Sequence, residues 1–158
     1  MLQFTYSSLI PASVREVFSF HESPHALETL NPSFPRVSIL RQRGGIQPGG
    51  EVELRLSAGP LRVRWLAHHT RYERDSFFVD VQKSGPFRCW IHRHEFEPVS
   101  NQCRLTDRIQ FSLPGSPVTD WLLGWAVKLQ LWMLFRYRHN VTREELRKRR
   151  TLRQPLSA

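Results

Sequence analysis

Apolar and β-branched positions crowd LQFTYSSLI (2–10) and stop at Pro11, which predicts a first strand. Ser13 and Glu16 then stand at capping-box spacing, and Val14, Val17 and Phe18 fall on one helical face, so a short amphipathic helix follows. Ser23-Pro24 has the form of a cap followed by proline at the first helical position, predicting a second short helix over about 24–30. From about 36 to 113 the pattern turns to six strand-like segments: RVSILRQ, EVELRLS, LRVRWLAHHTRY, SFFVDVQK, RCWIHRHEFEP and CRLTDRIQFSL. Short, turn-rich connections such as GGIQPGG and SAGP join them, as antiparallel hairpins require. Pro114, Gly115 and Pro117 close this region. The stretch from about Thr119 to Arg150 reads as one helix, about 48 Å long at 1.5 Å per residue. The plan is α+β: a curved antiparallel sheet of about seven strands that buries one face against a long terminal helix.

Alternation along the fifth of these segments puts Trp90, His92, His94 and Phe96 on one face. A two-residue turn at Ser100-Asn101 pairs Val99 with Gln102. His94 then lies opposite Asp107, His92 opposite Ile109 and Trp90 opposite Phe111. Arg93, Glu95 and Glu97 occupy the other side, so the His face is the inner one. In the preceding hairpin, Trp65, Ala67 and His69 share a face with Phe78, Asp80 and Gln82. The register across residues 84–87 is open at this level, and with it the question whether the two inner faces join.

The long helix divides in two. Trp121, Leu122, Trp125, Leu129, Trp132 and Met133 make a broad stripe suited to roofing a cavity, while Leu123, Val127, Leu131, Leu134 and Phe135 populate the other side. A helix apolar nearly all round is covered on more than one side. The first strand and short helices are the expected cover, with a second copy of the chain or a membrane surface as alternatives. Net charge is +9, and residues 136–153 hold eight Lys or Arg against Glu144 and Glu145. The basicity is concentrated at this end, where a solvated helix terminus explains it and an anionic partner is the alternative.

Cys89 and Cys103 point to opposite faces of one hairpin, so they are expected to stay reduced. No signal-peptide pattern opens the chain and no segment reaches the roughly 20 apolar residues of a membrane span, so a cytoplasmic location is expected. A single domain over 1–150 is expected, followed by a basic tail over 151–158.

In order along the chain stand Pro11, Val17 and Phe18; Leu30, Asn31 and Pro32; Phe78-x-Asp80-x-Gln82 with Gly85-Pro86; Trp90-x-His92-x-His94-x-Phe96; Asp107; Leu113-Pro114-Gly115; and Phe135-x-Tyr137-Arg138. This series resembles the START-like, or SRPBCC, superfamily of helix-grip proteins, and within it small bacterial proteins of the polyketide cyclase/dehydrase and ligand-binding type. The resemblance covers about 1–148. It implies that the two inner faces join, and that apolar small molecules are held between sheet and long helix. It carries over no universal catalytic residue.

The expected function is therefore binding of a small, largely apolar molecule. The lining residues expected are Trp65, Asp80, Trp90, His92, His94, Asp107, Trp125, Leu129 and Trp132, with the His and Asp groups orienting a polar end. The alternative is a cyclase or dehydratase using His94 as base with Asp107 orienting it. A further alternative is a membrane-surface or nucleic-acid adaptor acting through the basic tail, nucleic acid being the less favoured partner. A homodimer through the apolar helix is also open. His-x-His is a known metal-ligand spacing, and Asp107 or Asp80 could complete it. Asp107 opposite His94 explains itself as a hydrogen bond, so neither a metal nor another cofactor is expected.

Overall fold

The computed structural model describes residues 1–153. The strands are β1 (Leu2–Ile10), β2 (Arg36–Arg43), β3 (Glu51–Ala58), β4 (Leu61–Glu73), β5 (Phe77–Ser84), β6 (Cys89–Val99) and β7 (Gln102–Ser112). The helices are α1 (Val14–Glu22) and α2 (Ala26–Leu30), between β1 and β2, and α3 (Pro117–Arg153) at the end. The seven strands form one antiparallel sheet in the order β1-β7-β6-β5-β4-β3-β2. Each hairpin adds a strand beside the last, and β1 closes the far edge on β7. This is the expected α+β helix-grip plan.

Local signals explain the element ends. Ser13 caps α1 as expected: its hydroxyl accepts from the Glu16 amide, and the Glu16 carboxylate accepts from the Ser13 amide at 2.8 Å. Ser23 departs from expectation. Its hydroxyl donates to Phe20 O at 2.7 Å, closing α1 instead of opening α2, which begins at Ala26. The freed carbonyls at the end of α1 need partners, and a serine one step beyond the helix supplies one. Two glycines are required by close approach. A Cβ on Gly50 would strike the Gly45 carbonyl within the β2–β3 connection, and one on Gly124 would strike Leu2 where α3 crosses β1. The helix runs on to Arg153, through the tail boundary expected at 150. Residues 154–158 of that tail lie outside the described residues.

Two hydrophobic clusters hold the layers together. One gathers Phe18, Phe20, Leu30, Phe78, Phe96 and Leu105 under α1 and α2. The other gathers Phe4, Trp90, Ile109, Phe111, Leu131 and Phe135 under α3. The α3 seam that enters the core is narrow: Gly124, Leu131, Phe135, His139, Thr142 and Leu146 are buried, at helical spacing. Among the described residues, no helix is long and apolar enough to cross a membrane.

Candidate functional site

Strand register brings the polar inner residues into two rows that cross the sheet. One row runs His69, Asp80, His92, Ile109 and Phe4; the next runs Tyr72, Phe78, His94, Asp107 and Tyr6. The β6–β7 pairing is the one expected from the Ser100-Asn101 turn. The register left open across 84–87 is Asp80 beside His92 and Phe78 beside His94. Gln82 fixes it, because its amide donates to Phe87 O at 2.7 Å and accepts from the Phe87 amide at 3.3 Å. The inner faces of the two hairpins are thus one surface.

Asp107 is the hub of this surface. His92 Nε2 donates to Asp107 Oδ1 at 2.8 Å, and His94 Nδ1 lies 2.7 Å from the same oxygen. His139 Nε2, from α3, donates to Asp107 Oδ2 at 2.7 Å. Its other nitrogen is hydrogen-bonded to Ser8 Oγ on β1 at 2.7 Å. Asp80 Oδ2 stands 3.3 Å from His92 Nδ1 and 3.4 Å from His94 Nε2. The two imidazoles therefore bridge two carboxylates, with their ring centres 3.8 Å apart. His94 stacks on Phe78 of one core cluster, and His92 meets Phe135 of the other edge-on, so the group sits at the junction of the two.

The charges follow from this packing. Burial pushes the His92 pKa down, but Asp80 and Asp107 outweigh it and raise the group to about 9. Burial would raise the Asp107 pKa; the charge of His94 and the hydrogen bonds from His139, His92 and His94 reverse that and hold the carboxyl well below its usual value. Asp80 is likewise lowered, burial being outweighed chiefly by His92. The His69 pKa is lowered as well, because burial is its largest influence and Asp80 only partly offsets it. Arg138 hydrogen-bonds Asn31 Oδ1 at 3.1 Å, while its Nε, like His69 Nδ1, is buried with no hydrogen-bond partner among the described residues.

The expected lining set divides. Asp80, Trp90, His92, His94 and Asp107 are on the buried inner surface, and Trp65 is half-buried beside Trp90 at a ring distance of 4.9 Å. Trp125, Leu129 and Trp132 are not there. They are 67%, 51% and 43% exposed, on the outer side of α3. The stripe expected to roof a cavity is directed outward because the core seam of α3 follows Gly124, where the absence of a side chain lets the helix meet β1. Nor does β1, α1 or α2 cover that outer side, as core coverage would have required. His139, Ser8 and His69 were not among the expected site residues. The signal for His139 was present: it lies four residues after Phe135 and so on the same helix face.

Beyond Trp65 the inner face continues across β2–β4. Ile39, Leu54 and Trp65 lie side by side there, as do Val37, Leu56 and Val63, and all six are only partly buried. α3 packs chiefly on β1, α1, α2 and β7, away from these strands.

A family model described as polyketide cyclase/dehydrase and lipid transport matches residues 10–131. The chain belongs to that family. Among solved structures, norcoclaurine synthase from Thalictrum flavum, a point mutant with a transition-state analogue, superposes with a TM-score of 0.73 at 9% identity, covering 94% of this chain and 96% of that one. The ZhuI aromatase/cyclase of Streptomyces sp. R1128 gives 0.71 at 12% identity, covering 94% of each chain. TTHA0849 from Thermus thermophilus gives 0.69 at 17% identity, covering 92% of this chain and 97% of that one. At these identities the likeness is one of fold. No protein of curated function matches the chain in sequence.

Proposed function

We propose that this family member binds a small, largely apolar molecule on the inner face of β2–β4, with its polar end directed to the Asp–His group. The observation that carries the reading is the partly buried apolar surface of Ile39, Leu54, Leu56, Val63 and Trp65, which continues beyond the strands that α3 chiefly packs on and borders the cluster under α3 at Trp65. Apolar area with a few convergent polar groups is the usual character of a small-molecule site. Arg138 Nε is a donor and calls for a carbonyl or carboxylate oxygen, while His69 Nδ1 takes a donor or an acceptor according to its tautomer. Two fold neighbours are named as a synthase and an aromatase/cyclase, which keeps catalysis as the second reading. Against it, both His94 nitrogens face carboxylate oxygens, at 2.7 and 3.4 Å, and a general base needs one free. The test is native mass spectrometry of the protein from its own host. An apolar acid or ketone that co-purifies, and that is released by Trp65→Ala, is expected. Recovery of the protein alone, together with no affinity for fatty acids or aromatic ketones, would overturn the reading.

The outer face of α3 supports a further element of this function. Trp121, Trp125, Leu129, Trp132 and Met133 are exposed on one side, with Lys128 the only charge among residues 121–135 and the basic half of the helix following. Tryptophans flanked by cations suit an anionic lipid surface, where a carrier would collect or release its ligand. Flotation with phosphatidylcholine vesicles, with and without phosphatidylglycerol, tests this. Binding is expected to the anionic vesicles, falling at least tenfold in Trp121→Ser/Trp125→Ser. No binding to either vesicle, or a constant dimer that shields these tryptophans, would sink it. The reduced Cys89 and Cys103 suit a cytoplasmic carrier.

A further inference from the structure

We propose that Asp80, His92 and His94 form a site for a divalent transition-metal ion of the zinc type. The three donor atoms lie within 4.8 Å of one another. Asp80 Oδ2 is 3.3 Å from His92 Nδ1 and 3.4 Å from His94 Nε2. A tetrahedral ion with bonds of about 2.0–2.1 Å sets neighbouring ligand atoms about 3.3–3.4 Å apart. A direct N–H···O bond would instead close to about 2.9 Å, as the contacts to Asp107 do. The two separations to the Asp80 oxygen are those of ligands around an ion, and the two nitrogens lie within 4.8 Å of each other.

The opposite side of each ring strengthens the assignment. A metal-bound histidine turns its second nitrogen to a carboxylate, which fixes the ring and raises its basicity. Here both rings do so with one carboxylate: His92 Nε2 and His94 Nδ1 lie 2.8 and 2.7 Å from Asp107 Oδ1. Asp107 is held in turn by His139 on α3, and His139 by Ser8 on β1. The rings are therefore fixed from behind by two further elements, while Nδ1 of one and Nε2 of the other converge on Asp80. Two imidazole nitrogens and one carboxylate oxygen select zinc, cobalt, nickel or iron(II) over magnesium and calcium, which want oxygen donors. Asp107 and His139 are positioning residues; they do not ligate. Three protein ligands leave one coordination position for water or for the polar oxygen of a bound molecule.

The site shares the Asp–His group with the polar end of the proposed ligand, but the ion is titrated without ligand, so either reading can fail alone. Chelator-treated protein is titrated with Co2+, followed by visible absorption, and with Zn2+, followed by calorimetry and by the imidazole 15N shifts. We expect one ion per chain, a tetrahedral cobalt spectrum, and 15N shifts at His92 Nδ1 and His94 Nε2 in the wild type. Asp80→Asn should weaken Zn2+ binding at least a hundredfold. Asp107→Asn should weaken it roughly 10–100-fold, the range for an outer partner of a ligating histidine. His25→Ala, an exposed histidine on a different face, should leave it unchanged. The wild-type nitrogen shifts answer even where a variant fails to fold. Absence of Co2+ and Zn2+ binding at micromolar concentration, or shifts at other histidines alone, would overturn the assignment. So would undiminished binding by folded Asp80→Asn.

Discussion

Asp107 on β7 and His139 on α3 meet at 2.7 Å, and both side chains are almost wholly buried, at 4% and 2% exposure. This contact joins sheet to helix through a polar bond within a mostly apolar seam. A buried charge left without its partners costs far more than the intact group contributes.

Asp107→Ala should therefore lower the free energy of unfolding by about 3–5 kcal/mol, the cost of stranding a buried charged partner. His139→Gln can keep a donor near Asp107 and should cost less. Urea denaturation of the two variants and of their double mutant measures the coupling. Purely additive effects would show that the two residues do not act as a pair.

His21 makes stability depend on acid. Its Nδ1 lies 2.9 Å from Val17 O, and burial pushes its pKa down to about 4 from 6.5. Between those values the unfolded chain holds a proton that the folded chain does not. Its contribution is thus complete above pH 6.5 and is lost as pH falls toward 4, by on the order of 3 kcal/mol in all. Thermal unfolding of the wild type and His21→Leu across that interval checks it, and the variant should show the shallower slope.

Gly124 sits where a side chain would strike Leu2. Gly124→Val should destabilise by roughly 1–3 kcal/mol through overpacking. Leu2→Ala in the same chain should recover part of the loss, because it removes the struck atoms. Chemical denaturation of the two single variants and the double tests whether the recovery is real.

Trp65 is half-buried beside Trp90 and Phe87. Trp65→Ala should weaken binding of an apolar fluorescent probe by about tenfold or more, a loss of about 1.4 kcal/mol or greater. Trp125→Ala, on the outer side of α3, should leave probe affinity unchanged. Equal losses in the two variants would place the probe elsewhere.

Much of this was legible in residue order. The alternation in CWIHRHEF and CRLTDRIQF placed Trp90, His92, His94, Cys103, Asp107 and Phe111 on one face, and the tight turn at Ser100-Asn101 set their pairing, because a strand has a period of two and a short loop permits one register. The capping box at Ser13 was likewise a local matter of four residues. The outward turn of Trp125, Leu129 and Trp132 was not legible. Both sides of the helix are apolar in sequence, and tertiary contacts such as the close approach of Gly124 to Leu2 and the His139–Asp107 bond select which one meets the sheet.

The chain by itself determined the elements, their order and the inner His–Asp face, since these rest on periodicity, caps and turns a few residues long. The residues left Asp80's place on that face open and the resemblance implied it; the tertiary structure alone decided that His139 completes the Asp107 hub and that the tryptophans of α3 face away. The hub and the outward tryptophans depend on contacts between residues far apart in sequence. A register held by Gln82 or a helix seated by one glycine is settled by packing across the fold.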